Sequence, residues 1–567
     1  MFEDDEGNAP SEGRAPAAQG ELDFMEALDE PKSARSMVRL LSGDFYGIEG
    51  RPVEVQVDLS GRATHGFDIV GLAGKSIRES RERIRAALRN CGLPFPIGRR
   101  ILVNLAPAAQ EKDGSGFDLA IALGILVAGG RVRLPSDRFS REGLVRGTGF
   151  LGELGLDGKI LPVPGALLVA SALKALGVAR MIVAPENALE VSFVQGIAAF
   201  AAEDLHGAVR ALEGKAAPWA AGAGASPSGR AGPRAGAPAL DFAEVAGQEA
   251  TKRGLAVAAA GGHNVLLVGP PGVGKTMLAR RLPGILPPLG FAEALEVTRI
   301  RSAFGGEPIE RLAEERPFRA PHHTISYAGL VGGGTRIRPG EVTRAHRGVL
   351  FLDELPEFDR RALEALREPL EEGRITITRG AGSVTFPAEF LFVGAMNPCP
   401  CGYLGHPGRE CACRPRDVRN YRARISGPLL DRVDIFLHVG VVRAEDLLAA
   451  GPRGPVAKGE ATSGGLREAV RRARARQAAR WGGELSNSRV PLSRLLEAGR
   501  IEPEVLERLR AVAQRWGIAP RAFTKCLRVA RSVADLEGSD PVEAGHLAEA
   551  LQFREPGEFA RLGCLGR

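Results

Sequence analysis

The sequence predicts an α/β chain closed by a helical end, and three observations predict it. Between Val38 and about Glu213, strand-like alternation (Val53-Glu54-Val55-Gln56-Val57) is interleaved with helical periods at 76–90 and 118–127. An apolar run at 264–268 leads into the glycine-rich GPPGVGKT and then a helix-like segment, the setting of a doubly wound parallel sheet. Beyond about Val441 the chain becomes charged and mostly helical.

Taken in order, residues 1–36 are polar, acidic and punctuated by Gly and Pro, which predicts a disordered tail. The first 30 residues hold ten Asp/Glu against one Arg; since the whole chain is +7, residues 31–567 carry +16. That excess suits a nucleic-acid partner and equally suits solvated Arg-rich faces. Residues 37–213 read as an α/β domain, 214–239 as a flexible Ala/Gly/Pro linker, 240–441 as a nucleotide domain and 442–567 as a helical C-terminal domain. A second loop-like stretch covers 449–465. With 567 residues and 44% hydrophobic content, the chain can bury several cores. Its longest apolar stretch, 119–130, falls short of the ~18 to 20 residues a bilayer span needs, so no membrane partner is expected. The acidic start is unlike a secretory signal. Four of the seven cysteines crowd between Cys399 and Cys413, which does not resemble a disulfide framework, and a cytoplasmic location is expected.

Within 269–276, Gly269, Gly272 and Gly274 leave the backbone free to curl around Pro270, Pro271 and Val273. Consecutive N–H groups then face nucleotide phosphates at a helix N-terminus. Lys275 is placed to reach the β- and γ-phosphates and the Thr276 hydroxyl to ligate Mg²⁺, with Met277 next on the helix. GVLFLDELPEF reads as an apolar strand ending in Asp353, seventy-eight residues past Lys275 and placed to hold Mg²⁺, and in Glu354, to polarise the attacking water. FLFVGAMNP at 390–398 is a further buried-strand pattern ending in Asn397, whose amide can orient that water. ATP or GTP is the expected ligand.

Strand, phosphate loop, acidic pair, polar sensor and a following basic element together resemble the AAA+ ATPases. The resemblance implies ATP as nucleotide, an adenine-side signature at Val245-Ala246-Gly247-Gln248, and Arg432 in SGPLLDRVD as a finger offered to a neighbouring subunit. It also implies Arg521 in APRAF as a second sensor, and a homo-oligomeric ring, commonly a hexamer. A local ion pair with Asp431 or Asp434 is the plainer reading of Arg432, and a solvated helix start that of Arg521.

Longer runs narrow the resemblance. RPFRAPHHTISYAGLVGGG at 316–334, GVLFLDELPEF, and ALREPLEEGRITITRG ending at Gly380 are similar to magnesium-chelatase-related proteins, and most of all to the ComM/YifB family of DNA-processing ATPases linked to natural transformation. The likeness covers about 42–554 and implies an ATP-driven DNA translocase that moves branch points. Arg374-Ile-Thr-Ile-Thr-Arg379 and the alternating run at 383–386 read as a β-hairpin. In such a ring it would put Arg374 and Arg379 against DNA phosphates; packing inside its own subunit is the alternative.

Three clusters leave the sequence ambiguous. Cys399, Cys401, Cys411 and Cys413, spaced C-x-C, nine residues, C-x-C, can close a tetrahedral Zn²⁺ site or simply form a turn, the spacing departing from the usual C-x₂-C knuckle. His322-His323 on an extended segment would point opposite ways, which favours a loop role over metal. Arginines at 467–480 offer either a DNA-facing stripe or a solvated helix face.

Finally, KDGSGFDLAIALGIL at 112–126 and GELGLDGKILPVPG at 152–165 resemble the proteolytic domain of Lon, which uses a Ser-Lys dyad. Here the matching positions are Gly116 and Leu167; Ser115 lies near without a base and Lys159 precedes a strand, so a Lon-like domain without peptidase activity is expected. An ATP-dependent protease and a chelatase-type motor acting on a metal-inserting partner remain as other functions. Chelatase motors are expected to lack the N-terminal domain.

Overall fold

The computed structural model describes residues 37–554 except 61–65, 73, 97–98, 109–111, 113, 136, 138–143, 221–239, 305–308, 335–336, 380–381, 443–461, 484 and 518. The predicted tail, most of the predicted linker and most of the 449–465 stretch lie outside the described residues. The chain forms two compact units, 1–229 with 305–311, and 230–304 with 312–567.

The first unit is built on a seven-stranded sheet. Strands β1 (Met37–Tyr46) and β2 (Glu49–Ser60) form an antiparallel pair, joined by β3 (Gly66–Val70), β4 (Arg100–Ala106), β5 (Leu144–Leu151), β8 (Arg180–Val183) and β9 (Ala198–Ala201) in the order β3-β4-β2-β1-β5-β8-β9. A short hairpin, β6 (Glu153–Leu154) with β7 (Ile160–Leu161), stands apart. The longest apolar run becomes the helix Asp118–Ala128, buried from Asp118 to Val127. At Gly124 it comes so close to β2 that a Cβ would lie 2.6 Å from Val57 Cγ2. It is a core helix, and among the described residues no helix is long and apolar enough to cross a membrane. At the sheet edge, the Trp219 N–H donates to the Ala199 carbonyl at 2.7 Å, and Trp219 packs on the core below.

The second unit carries a five-stranded, all-parallel sheet made of β10 (Val265–Val268), β11 (Phe318–Arg319), β14 (Val349–Leu352), β17 (Leu391–Met396) and β18 (Ile435–His438), in the order β11-β14-β17-β10-β18. The sequences VLLV, VLFL and LFVGAM are buried throughout, as strands covered on both faces must be. The chain leaves β10 toward one edge and returns on its other side as β18. The carboxyl end of β10 is thus a topological switch point, where such sheets bind ligands. Two small antiparallel pairs are inserted: β12 (Gly332–Gly333) with β13 (Arg338–Pro339), and the predicted hairpin, β15 (Arg374–Arg379) with β16 (Gly382–Pro387). On the hairpin, Ile375, Ile377, Val384 and Phe386 are buried while Thr376 and Thr378 face solvent, as the alternation predicts. C-terminal helices, chiefly Ser463–Trp481 and Pro520–Glu537, share one core with the helix Glu249–Gly261 through Val470, Leu527 and Val533 against Leu255 and Val257.

Candidate nucleotide site

The phosphate loop follows β10 directly, and its glycines do separate jobs. Gly272 and Gly274 adopt φ of +79° and +93°, the left-handed region that side chains disfavour. At Gly269 the neighbouring chain is the constraint, since a Cβ would lie 2.2 Å from the Val439 carbonyl oxygen. Pro270, Pro271 and Val273 complete the turn, and the helix Lys275–Arg281 begins at once, with Met277 exposed on it. The Lys275 side chain is buried and its amine donates to the carbonyls of Gly269 (2.6 Å) and Pro270 (2.8 Å) and to Asn397 Oδ1 (3.0 Å). Burial pushes that amine below the ordinary lysine value, with Asp353 and Glu354 opposing.

The structure brings the predicted acids to the same place. Thr276 Oγ1 donates to Asp353 Oδ2 at 2.5 Å, so the hydroxyl and carboxylate predicted to share a Mg²⁺ ion are adjacent. Glu354 is exposed at a left-handed φ of +51°, and the cleft in front of it is lined by Asn397, Pro400, Tyr421 and Arg424. His323 Nδ1 lies 3.4 Å from Glu354 Oε2, a neighbour that the sequence pattern does not announce. Gly247 and Gln248 both take left-handed backbone, and Gln248 Nε2 donates to the Gly440 carbonyl at 2.6 Å. The segment predicted to face adenine and the phosphate loop therefore meet on the same short stretch after β18, at Val439 and Gly440.

The two predicted arginines stand elsewhere, and together. Arg432 is ion-paired with Glu371 and donates to the carbonyls of Pro428 (2.7 Å) and Arg367 (3.2 Å). Arg521 Nη2 lies 3.9 Å from the other oxygen of Glu371, with most of its side chain exposed. The ion pair with Asp431 or Asp434 does not form; Asp434 is held by Lys525 at 3.0 Å and faces His263 at 3.5 Å. No sequence pattern singles out Glu371, which sits in an acidic run.

Comparison with known proteins places this geometry. Residues 241–447 match the family described as magnesium chelatase, subunit ChlI; 53–187 match subunit ChlI of Mg-chelatase; and 460–554 match the subunit ChlI C-terminal family. The chain is 39% identical over 512 residues to the uncharacterized protein YifB of Salmonella typhimurium, covering 90% of this chain and 95% of that protein. It is 41% identical over 529 residues to an uncharacterized protein of Mycobacterium tuberculosis, with 92% and 99% covered. Competence protein ComM of Haemophilus influenzae is 39% identical over 522 residues, with 92% and 97% covered. The chain belongs to the ComM/YifB family. As a member it is a magnesium-chelatase-related AAA+ ATPase, to which ATP and Mg²⁺ belong. Because the N-terminal match carries a chelatase description too, the presence of that domain does not separate this ComM/YifB protein from chelatase motors.

The remaining clusters of this ComM/YifB-family ATPase differ in outcome. The four cysteines converge, with all four sulfurs within 4.8 Å of one another. His322 and His323 do not point apart: a turn closed by the Ile325 N–H to the His322 carbonyl (2.9 Å) brings their rings to 4.1 Å. The 467–480 arginines divide: Arg471 and Arg472 lie exposed on a solvated face, Arg471 pairing with Glu468 of its own helix at 2.8 Å, while the others reach across to neighbouring segments. Arg467 donates to the Gly284 carbonyl (2.6 Å), Arg474 to Ala259 (3.0 Å) and Arg476 to Asp535 (2.9 Å), while Arg480 pairs with the Asp535 carboxylate (2.9 Å). Arg467, Arg474, Arg476 and Arg480 are struts to neighbouring segments, and burial pushes Arg474 down to about 10. Arg374 is exposed and paired with Glu372 at 3.0 Å; Arg379 ends β15. In the N-terminal unit the Ser115 hydroxyl bonds Glu153, and the Lys112 amine is taken up by the carbonyls of Gly71 (3.2 Å), Leu105 (3.0 Å) and Pro107.

Proposed function

We propose that this protein is a ring-forming ATPase that drives DNA translocation and moves branch points, in the cytoplasm, with a homohexamer as the working form. The observation that carries the DNA assignment is the likeness, over 92% of the chain, to a protein named for competence. The basic excess outside the N-terminal 30 residues and the exposed Arg374 on its hairpin support it.

In this reading the phosphate loop binds ATP through its N–H groups and the Lys275 amine; Thr276 and Asp353 would hold Mg²⁺, Glu354 polarises water and Asn397 orients it. Arg432 and Arg521, parked together on Glu371, are the charges a neighbouring subunit's γ-phosphate would draw away, so that hydrolysis depends on assembly. Arg374 and Arg379 on the hairpin touch phosphates without reading bases, which suits a motor that must pass every register. Residues 37–213 serve as a Lon-like accessory domain. Ser115 and Lys112 do not form a dyad, which counts against a protease.

A chelatase-type motor is the second reading, favoured because all three matched families are described as magnesium-chelatase subunits. The ATPase rate with and without single-stranded, duplex and branched DNA separates the two. Stimulation by DNA, strongest for branched forms, is expected; a rate indifferent to every DNA at low salt would move the assignment to the chelatase type.

A further inference from the structure

Four thiols in one loop outline a coordination shell. Sγ of Cys399 lies 3.4 Å from that of Cys401 and 3.6 Å from that of Cys411, and Cys401 and Cys411 are 3.6 Å apart. Sulfurs placed ~2.3 Å from a central Zn²⁺ at the corners of a tetrahedron are ~3.8 Å apart, so these spacings sit close to a zinc shell. They are far from the ~2.05 Å of a disulfide, and all four residues are free thiols. Two main-chain donors already face sulfur, as in the outer shell of metal-thiolate sites: the Cys401 N–H to Cys413 Sγ and the Leu404 N–H to Cys399 Sγ, both at 3.4 Å. A closed set of four soft ligands selects zinc over Mg²⁺ and leaves no open position for chemistry.

The place of this loop gives the ion a task. Cys399 comes two residues after Asn397, whose amide oxygen accepts from Lys275. Between them the Pro398 carbonyl is gripped by Arg422 through Nε (3.2 Å) and Nη2 (2.9 Å). On the far side, Gly402 at φ +84° lies against the phosphate loop, where a Cβ would come within 2.6 Å of Pro271 Cδ. The cysteine loop therefore touches both the strand that carries Asn397 and the loop that carries Lys275.

We infer that Cys399, Cys401, Cys411 and Cys413 hold one structural Zn²⁺, and that the zinc-closed loop positions Asn397 and the Pro271 side of the phosphate loop for hydrolysis. On loading, the thiol protons leave to solvent and four Zn–S bonds form. The positioning half rests on the nucleotide-site reading above; the metal half does not.

The test uses full-length protein purified without chelator. Metal analysis should give about one zinc per chain, and protein reconstituted with Co²⁺ should show the visible absorption of tetrahedral thiolate cobalt. Cys411→Ser and Cys413→Ser should lose the metal. Stripping zinc from the native protein, with circular dichroism confirming that it stays folded, should lower kcat about tenfold while the KM for ATP moves less than about twofold, and added zinc should restore it. Gly402→Ala should keep its zinc and still lower kcat, because it pushes on Pro271. Native protein without zinc, or both serine variants retaining it, overturns the site. A stripped, folded protein with unchanged kcat overturns the positioning role while the metal site stands. A zinc-loaded native protein that hydrolyses no ATP sinks the nucleotide reading and the positioning role with it, leaving the metal count to decide the site.

Discussion

Each unit of the molecule holds a buried lysine whose amine reaches main-chain carbonyls, and only one of these two stands in the candidate site. Lys112 and Lys275 are 2% and 8% exposed, each spends its amine on main-chain carbonyls, and burial pushes both below the ordinary lysine value. The partners differ. Around Lys275 lie a loop opened by Gly272 and Gly274 at positive φ, the carboxylates at the end of β14 and the Asn397 amide, all of which an incoming nucleotide and Mg²⁺ can engage. Around Lys112 are three carbonyls from two strand ends and the turn after β4, and the nearest hydroxyl, Ser115, is committed to Glu153. A buried amine with a lowered pKa is thus a strut or a ligand-binding group depending on whether its partners can be exchanged.

Breaking the two lysines should give opposite phenotypes. Lys275→Ala should abolish hydrolysis and weaken ATP binding by about a hundredfold, measured by calorimetry, since the amine carries a charge-assisted contact in a dry loop. Lys112→Met should bind ATP normally and lower stability by about 2 kcal/mol in denaturant unfolding, the cost of carbonyls left unpaired. A folded Lys112→Met that had lost ATP binding would erase the distinction.

Glu354→Gln comes next in size. It should keep ATP affinity and lose about 10²- to 10³-fold in kcat, because the amide keeps the shape and cannot polarise water. Native turnover in that variant would remove Glu354 from the mechanism. Arg432→Ala should assemble and hydrolyse poorly, yet recover part of its activity when mixed with Lys275→Ala subunits, each completing the other's site. No recovery on mixing, together with an active native monomer, would return Arg432 to a purely local role with Glu371. At the small end, Ser115→Ala should change stability by less than about 1 kcal/mol and leave ATPase untouched. Casein cleavage by the native protein that this variant lacked would restore the protease reading.

What the sequence made legible was chemistry written in consecutive residues. The phosphate loop, the Asp353–Glu354 strand end and the Asn397 strand each carry their geometry within about ten positions, and the hairpin shows its period of two. Partners brought together by folding stayed hidden. Glu371 meets Arg432 across 61 positions, and Arg474 finds the Ala259 carbonyl across 215. An arginine stripe looks the same whether it faces water or a row of carbonyls, so nothing in the 467–480 segment separates the exposed Arg471 and Arg472 from the struts Arg474, Arg476 and Arg480. The histidine pair failed for a local reason, because a turn replaced the extended backbone on which alternation depends. The cysteine loop was half legible: the spacing allowed either a zinc site or a turn, and only the fold showed the four sulfurs converging close after Asn397.

Conversion of a three-stranded branched DNA into separated products, followed on gels with ATP and Mg²⁺, tests the central claim most directly. The expected result is ATP-dependent conversion that falls with rising salt, is absent in Glu354→Gln, and is reduced in the Arg374→Ala, Arg379→Ala double variant more than its basal ATPase is. A native protein that hydrolyses ATP yet neither binds nor moves branched DNA from low to moderate salt would contradict it.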